Sequence, residues 1–399
     1  MIKLIQYFIS KMNTLKITFI TLCFVLFSGN IISKNKSNKP RKLFFPNIDG
    51  YKTLISDLHQ HTIFSDGLVW PTIRVDEAIC DGVDVISMTE HLEYQPHSED
   101  IPNKDRNRAY QIAKNYADNL NKRKKDDKKL IVINGQEITK NMPPGHINAI
   151  FINEANNLLH KDSLSGILEA NKQDAFLFWN HPAWPAQRSD GIARLDDYHK
   201  YLISNKYLHG IEVVNELDYS EEALQIAIDN NLTIMGTSDI HGLIDWMFEI
   251  PKNGHRPVTL IFSKSKQLDD IKNALFNGRT VVYYNDLLIG KSINLKPLIE
   301  KSLEISIKGK INQGYSEDGE SSIINIEIIN HSSADIILEN HTNYTFENYA
   351  NVFTVKGFNS IILKTKVGKR KIEDHLNFKV LNGIIAPKEY LKIKLATGI

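Results

Sequence analysis

The clearest chemistry in the chain lies in "SDLHQHTIFSDG", residues 56–67, where His59 and His61 are followed by Asp66. The run before it, Leu54-Ile55-Ser56-Asp57-Leu58, is apolar enough for a short buried strand. Side chains alternate faces along a strand, so His59 and His61 point the same way, and two imidazoles at a strand's end can bind one metal ion. Other metal-capable residues recur after apolar runs. "DVISMTEH" ends at His91, "LIVINGQE" ends at Glu137, and His146 follows in "PPGHINAIFI". "AFLFWNHPAW" brings His181, and "TIMGTSDIH" closes on Asp239 and His241. Each has an ordinary reading alone, such as a turn aspartate before Gly67 or a core histidine before Pro182. Together, nearly all at the C-terminal side of an apolar run, they read as a metal centre. The nine donors are all nitrogen or oxygen, which suits Zn, Mn or Fe and excludes a thiolate zinc knuckle. Nine are too many for one ion. A carboxylate such as Glu137 can bridge two, and three ions could be held at about three to four protein ligands each. His160, His199 and His209 lack this placement and read as structural or exposed. His97 and His255 are left unassigned, and His375 reads as a surface residue.

The elements that must position these residues alternate. Strand candidates are 54–58, 84–88, 131–134, 148–152, 175–179, 210–214, 233–236 and 258–262, with helical periods between several of them. In "RAYQIAKNYADNL", Ala109, Ile112, Ala113, Tyr116 and Leu120 form one apolar stripe, and "KRKKDDKK" after it reads as a solvated helix end. Such alternation predicts a parallel sheet closed, or nearly closed, into a barrel, whose C-terminal strand ends meet at one face. After about residue 295 the pattern changes to alternating residues with turn-like separators, the signature of a small all-β domain. The triplets "NHS", "NHT" and "NYT" there match glycosylation acceptors, which matter only in a host that glycosylates. At the other end, lysines precede an apolar run from Ile17 to Phe27 that is short for a membrane span, so residues 1–33 are expected to be an export signal and 34–49 a linker. The chain is then exported, to the periplasm or beyond, with no stable membrane insertion after signal removal. Loss of the signal would leave Cys80 as the one thiol, so no internal disulfide is expected. With 399 residues, 42% apolar and 24% charged, the composition is globular, and a net charge of +1 gives no global field for nucleic acid.

In this order, "DLHQHTIFSDG", "MTEH", "GQE", "NHP" and "SDIH" resemble the motifs of the PHP (polymerase and histidinol phosphatase) superfamily over about residues 50–290. More narrowly, "DLHQHTIFSDGLVWPTIRVDEA", "TEHLEYQPH", "GHINAIFIN", "HGIEVVN" and "GRTVVYY" are similar to the Sb-PDE family of secreted bacterial phosphodiesterases. The resemblance implies an α/β fold: a distorted (β/α)7 barrel over 50–294, followed by a small sandwich-like all-β domain over 295–399. It also implies two or three divalent ions. Carried over by position, one ion falls to His59, His61, Glu137 and Asp239, a second to Glu137, His146 and His181, and a third to Asp66, His91 and His241. Glu137, Asp66, His241 and Asp239 are the residues assigned to catalysis. Where the superfamily usually has Asp-His, this chain has Glu90-His91, which leaves His91 a ligand with altered surroundings.

A cluster of divalent ions fits hydrolysis of a phosphate ester by a metal-bridging hydroxide, most simply a small-molecule phosphodiester, with no protein nucleophile. Arg188, on the loop after "NHPAWPAQ", is a candidate for a phosphate oxygen, and Tyr94 and Trp184 for the walls of an aryl or apolar pocket. Glu93 is a candidate supporting acid. The rivals are a phosphomonoesterase or nuclease of the same fold, an amidohydrolase and a non-catalytic metal-binding protein. The neutral net charge and the lack of an aromatic–basic ladder weigh against a nuclease. A glutamate at 137, where amidohydrolases commonly use a carbamylated lysine, weighs against that class.

Overall fold

The computed structural model describes residues 41–313, 321–368 and 370–398. The expected export signal, 1–33, lies outside them. Of the expected linker, 34–49, residues 41–49 are described, and three of their apolar side chains dock on the core. Leu43, Phe45 and Ile48 are buried, Phe45 meets the Tyr283 ring edge-on at 5.0 Å, and Phe44 exchanges hydrogen bonds with Ser333. Among the described residues no helix is long and apolar enough to cross a membrane.

All eight strand candidates fall on strands. They are β1 (Lys52–Asp57), β2 (Val85–Met88), β3 (Ile131–Ile138), β4 (Ile147–Ile150), β5 (Phe176–Trp179) and β6 (Gly210–Asn215), then, after a two-residue strand β7 (Asp218–Tyr219), β8 (Thr233–Thr237) and β9 (Val258–Ser263). Strands β2, β4 and β5 are buried at every position, as expected of strands covered on both faces. The helix Arg108–Asn121 packs its expected stripe inward, with Ala109 and Ala113 buried and Ile112, Tyr116 and Leu120 against the core. Neighbours follow the order β1-β2-β3-β4-β5-β6-β8, and β9 returns to β1. No ladder joins β8 to β9; the Thr259 hydroxyl instead bonds both the N–H (2.9 Å) and the C=O (2.8 Å) of Gly236.

The sheet is mixed, which corrects the expectation of a parallel one. β4 runs against β3 and β5, and β9 runs against β1. The reversal of β4 matters for the site. His146 precedes β4, so in a parallel barrel it would sit at the far end; reversed, the start of β4 lies at the same mouth as the ends of its neighbours.

Beyond the hairpin β10 (Thr280–Tyr284) and β11 (Leu287–Ile289), the helix Ser292–Ser302 leads into the all-β part. Its strands are β12 (Leu303–Gln313), β13 (Ser321–Asn330), β14 (Ile336–Asn340), β15 (Thr345–Phe346), β16 (Val352–Val355), β17 (Ser360–Gly368), β18 (His375–Ala386) and β19 (Glu389–Ala396). One sheet has the order β12-β13-β17-β15. The other holds β16, β14, β18 and β19, and β18 pairs in parallel with β11, so it continues the barrel's sheet. Ile326, Ile328 and Leu363 from the first and Leu338, Phe378 and Leu391 from the second share one core, which makes a sandwich. Two of the glycosylation triplets are turn devices. The Asn330 amide, 1% exposed, donates to Ala334 O and Val355 O and accepts from Ser332. Asn340 does the same toward Tyr344 and Thr342.

Candidate metal centre

β1 stops at Asp57, and the chain leaves the barrel carrying His59 and His61, both fully buried. Beyond the ladders, Gln60 pairs with Ile240 and His91 with Glu137 as isolated bridges, so the loops after β1 and β8 stay together at the mouth and the loop after β2 stays against the end of β3. There the Nε2 atoms of His59 and His61 lie 3.1 Å apart, and 3.1 and 3.0 Å from Asp239 Oδ1. Glu137 sits in the middle. Its Oε1 is 3.6 Å from His59 Nε2, 3.0 Å from His146 Nδ1 and 3.4 Å from His181 Nε2. Its Oε2 is 2.5 Å from His91 Nδ1 and 3.8 Å from His61 Nε2. Asp66 reaches His91 Nε2 and His241 Nε2, each at 3.2 Å. All nine expected ligands therefore converge. Three overlapping sets, His61-Asp66-His91-His241, His59-His61-Glu137 and His91-Glu137-His146, keep their donor atoms within 4.8 Å of one another.

The donor set fits divalent cations. Asp66 Oδ1, Glu137 Oε2, Asp239 Oδ1 and His181 Nδ1 are buried and accept or donate no hydrogen bond. Leaving buried carboxylate oxygens unmatched is costly, and a cation among these atoms would match them. In the protein alone, imidazole protons take that part. Burial works against charge on His59, yet Asp239, Glu212 and Glu137 hold its pKa up at about 10. Against the same burial, Glu137 and Asp66 push His91 up to about 11, and Asp66 and Asp239 push His241 to about 9. Burial, with His91 and His241 beside it, pushes His61 down to about 3. Burial also opposes ionisation of Glu137, Asp239 and Asp66, but the surrounding imidazoles hold all three below the usual carboxylate range.

The expected substrate residues divide. Tyr94, 53% exposed, stands edge-on to the His91 ring at 5.8 Å. Trp184, 44% exposed, lies 5.7 Å from the ring of His146 and 5.1 Å from that of His181. Both are at the rim. Arg188 is not available there: it is buried, and its Nη2 pairs with Asp196 and donates to Arg194 O at 3.0 Å. Its charge is already paired, because Asp196, eight residues on, is the carboxylate it meets. Glu93 accepts from the Thr139 N–H at 2.8 Å, and Thr139 Oγ1 lies 2.7 Å from His91 Nδ1, so Glu93 supports a ligand indirectly. His199, read as structural, is buried against Trp179 at 3.9 Å.

Among solved structures, this chain is similar to a two-domain protein from Bacteroides vulgatus that contains a predicted PHP-like metal-dependent phosphoesterase. The two are 38% identical, with a TM-score of 0.80, over 90% of this chain and 99% of that one. The chain belongs to this PHP-like family. A family of Ig-like domains also matches residues 292–396. More distant likenesses are a putative metal-dependent phosphoesterase from Bifidobacterium adolescentis (15% identity, TM-score 0.37, 48% of this chain and 90% of that one) and a lesion-specific endonuclease from Pyrococcus furiosus (15%, 0.38, 60% and 59%); both are too distant to bear on function. No curated protein matches.

In this PHP-like barrel the residues that hold the donors in place escape a reading of sequence spacing. Glu212 on β6 accepts from Thr237 Oγ1 (2.6 Å), Asn215 Nδ2 (2.8 Å) and the His181 N–H (2.7 Å), and lies 2.8 Å from His59 Nδ1. Such a carboxylate–histidine pair fixes the ring and its tautomer, presenting Nε2 to the centre. Asn180 donates to Glu137 Oε1 at 2.7 Å. Arg74 on the helix Pro71–Asp81 donates to the carbonyls of His61, Ile240 and His241 at 2.9, 3.1 and 2.9 Å, tying two ligand loops to one guanidinium. Glu90, the departure from the superfamily pattern, does not face the donors. It is buried and accepts from Thr62 N, Thr62 Oγ1 and Ser65 Oγ, which pins the loop between His61 and Asp66. The available signal was position: Asn180 adjoins His181, and Glu212 and Asn215 lie within "HGIEVVN".

Proposed function

We propose that this chain is an exported phosphodiesterase, of the kind it resembles in the Sb-PDE family, acting on a small phosphate diester at the mouth of the barrel. One observation carries the reading: nine nitrogen and oxygen donors, from the end of β3 and five loops, converge around Glu137, seven of them in overlapping sets, beside an open space walled by Trp184. The ligand sets are those the resemblance implies, with Glu137 shared between the first and second. Bound divalent ions would supply charge for the phosphoryl oxygens and acidify a water. The chain's own residues do the rest. Glu212 and Thr139 orient His59 and His91; Asn180 orients Glu137; Tyr94 and Trp184 exclude water from the rim and stack an apolar or aryl ester group. In this reading residues 1–33 are an export signal and residues 50–294 the barrel, with the small β domain following.

The test is metal analysis of purified protein with a panel of mono-, di- and triesters in oxygen-18 water. The expected result is two to three ions per chain, fastest turnover of diesters, and one labelled oxygen on the phosphate product. Label in the alcohol would mean attack at carbon. A full metal complement with no turnover of any ester would favour a binding protein.

A further inference from the structure

A second cavity, about 360 Å³, opens beside the metal centre. His181, Trp184, Asn215 and Glu216 line both spaces, so the cavity continues the site. Its outer wall is apolar, from Pro182, Pro185 and Leu217, and its charged lining is acidic; among the described residues no lysine or arginine lines either space. Glu212 is committed to His59 and Asp218 lines the outer cavity alone, so Glu216 is the cavity's carboxylate at the junction. Glu216 opens the two-residue turn between β6 and β7 with φ +50, a conformation that glycine or asparagine takes more readily. It is half-buried, and among the described residues none hydrogen-bonds or ion-pairs its carboxylate. A carboxylate and a half-exposed indole on one small cavity are the two groups that hold an organic ammonium, one by charge and one by its ring face. Resting on the phosphodiesterase reading, we propose that this cavity receives the non-reacting arm of the diester, and that Glu216 with Trp184 selects a cationic, ammonium-bearing arm over an anionic one.

Three diesters test it with metal-loaded protein. Each has a 4-nitrophenyl leaving group, and the second alcohol is 2-(trimethylammonio)ethyl, its neutral isostere 3,3-dimethylbutyl, or 3-carboxypropyl. Binding of the matching non-hydrolysable phosphonates is measured by calorimetry alongside kcat/KM. The cationic arm is expected to exceed the neutral one by about tenfold, and the anionic one to fall below both. Glu216→Gln should abolish most of the cationic preference, and Glu216→Lys should reverse the order. Arm charge without effect, or an unchanged ratio in Glu216→Gln, would overturn the proposal. An equal loss for all three arms in that variant would also overturn it, placing Glu216 at the metal centre. If Glu216→Lys does not fold, the isosteric glutamine variant decides. If no diester is cleaved but the phosphonates keep the charge order, the phosphodiesterase reading fails and the arm selection stands.

Discussion

At the scale of single residues, Glu137 and Glu212 are both buried carboxylates beside histidines but do different work. Glu137 has imidazoles on both oxygens, from His146 and His181 on one side and His91 and His61 on the other. Its removal opens two ligand sets at once. Glu137→Ala is expected to lower both the metal content, read by elemental analysis, and the turnover; full stoichiometry in that variant would refute a bridging role. Glu212 holds one ligand ring, that of His59, from behind, and the backbone N–H of a second ligand, His181. Glu212→Gln keeps the shape but weakens the hold on the His59 tautomer, so metal affinity should fall about 10- to 100-fold, the usual cost of losing such a support. A chelator competition titration reads this. Affinity equal to that of the unaltered protein would mean that His59 is oriented by the loop alone.

Among elements, the loops after β1 and β8 act as one unit because Arg74 donates to both. Truncating this buried guanidinium takes from Glu77 its ion-pair partner and from three carbonyls a donor, a loss of about 3–5 kcal/mol in comparable pairs. Arg74→Ala should therefore lower the melting temperature and the metal content together. A variant that melts early yet binds metal normally would separate the helix from the site. Gly67 gives a finer test. A Cβ there would sit 2.6 Å from the backbone of His61 and Thr62, so Gly67→Ala must push Asp66 away from His91 and His241. Loss confined to the Asp66 set is expected, read as one ion fewer per chain. These couplings explain what the sequence could and could not reveal. The donors were legible because nearly all follow an apolar run, as His91 follows "DVISM". Arg74 was not, because its partners are carbonyls, which leave no trace in residue type. The reversal of β4 was hidden for a related reason: a four-residue buried strand has the same composition in either direction, and only His146 ahead of it bore on the choice. Arg188 misled because a loop arginine reads the same whether its carboxylate partner is a substrate or Asp196.

For the whole molecule, the centre links stability to pH differently with and without metal. In metal-free protein His59, His91 and His241 have folded pKa values of about 10, 11 and 9, all raised from about 6.5 despite burial, by Asp239, Glu137 and Asp66 respectively among their neighbours. A raised pKa means that the folded state binds the proton more tightly. That stabilisation is complete below about pH 6.5 and drains away as pH rises toward 9–11. Asp66, Glu137 and Asp239 are depressed, so their share is present above the ordinary carboxylate range near pH 4 and is lost on acidification. These are the same ion pairs seen from both partners and count once. His61, held down at about 3, opposes folding below pH 6.5, which trims the acid side further. Metal-free protein should therefore melt highest near pH 6–7 and lose melting temperature steadily toward pH 10. Divalent ions compete with those same protons, so their affinity rises as pH rises, and binding to the folded state alone adds stability in proportion to RT ln(1 + [M]/Kd). The gap between metal-loaded and chelated protein should thus widen from pH 6 to pH 9. Calorimetric melts of both forms across that range check the sign. A gap that narrows with pH would mean that the ions do not displace the histidine protons, and that the nine-residue cluster is not their site.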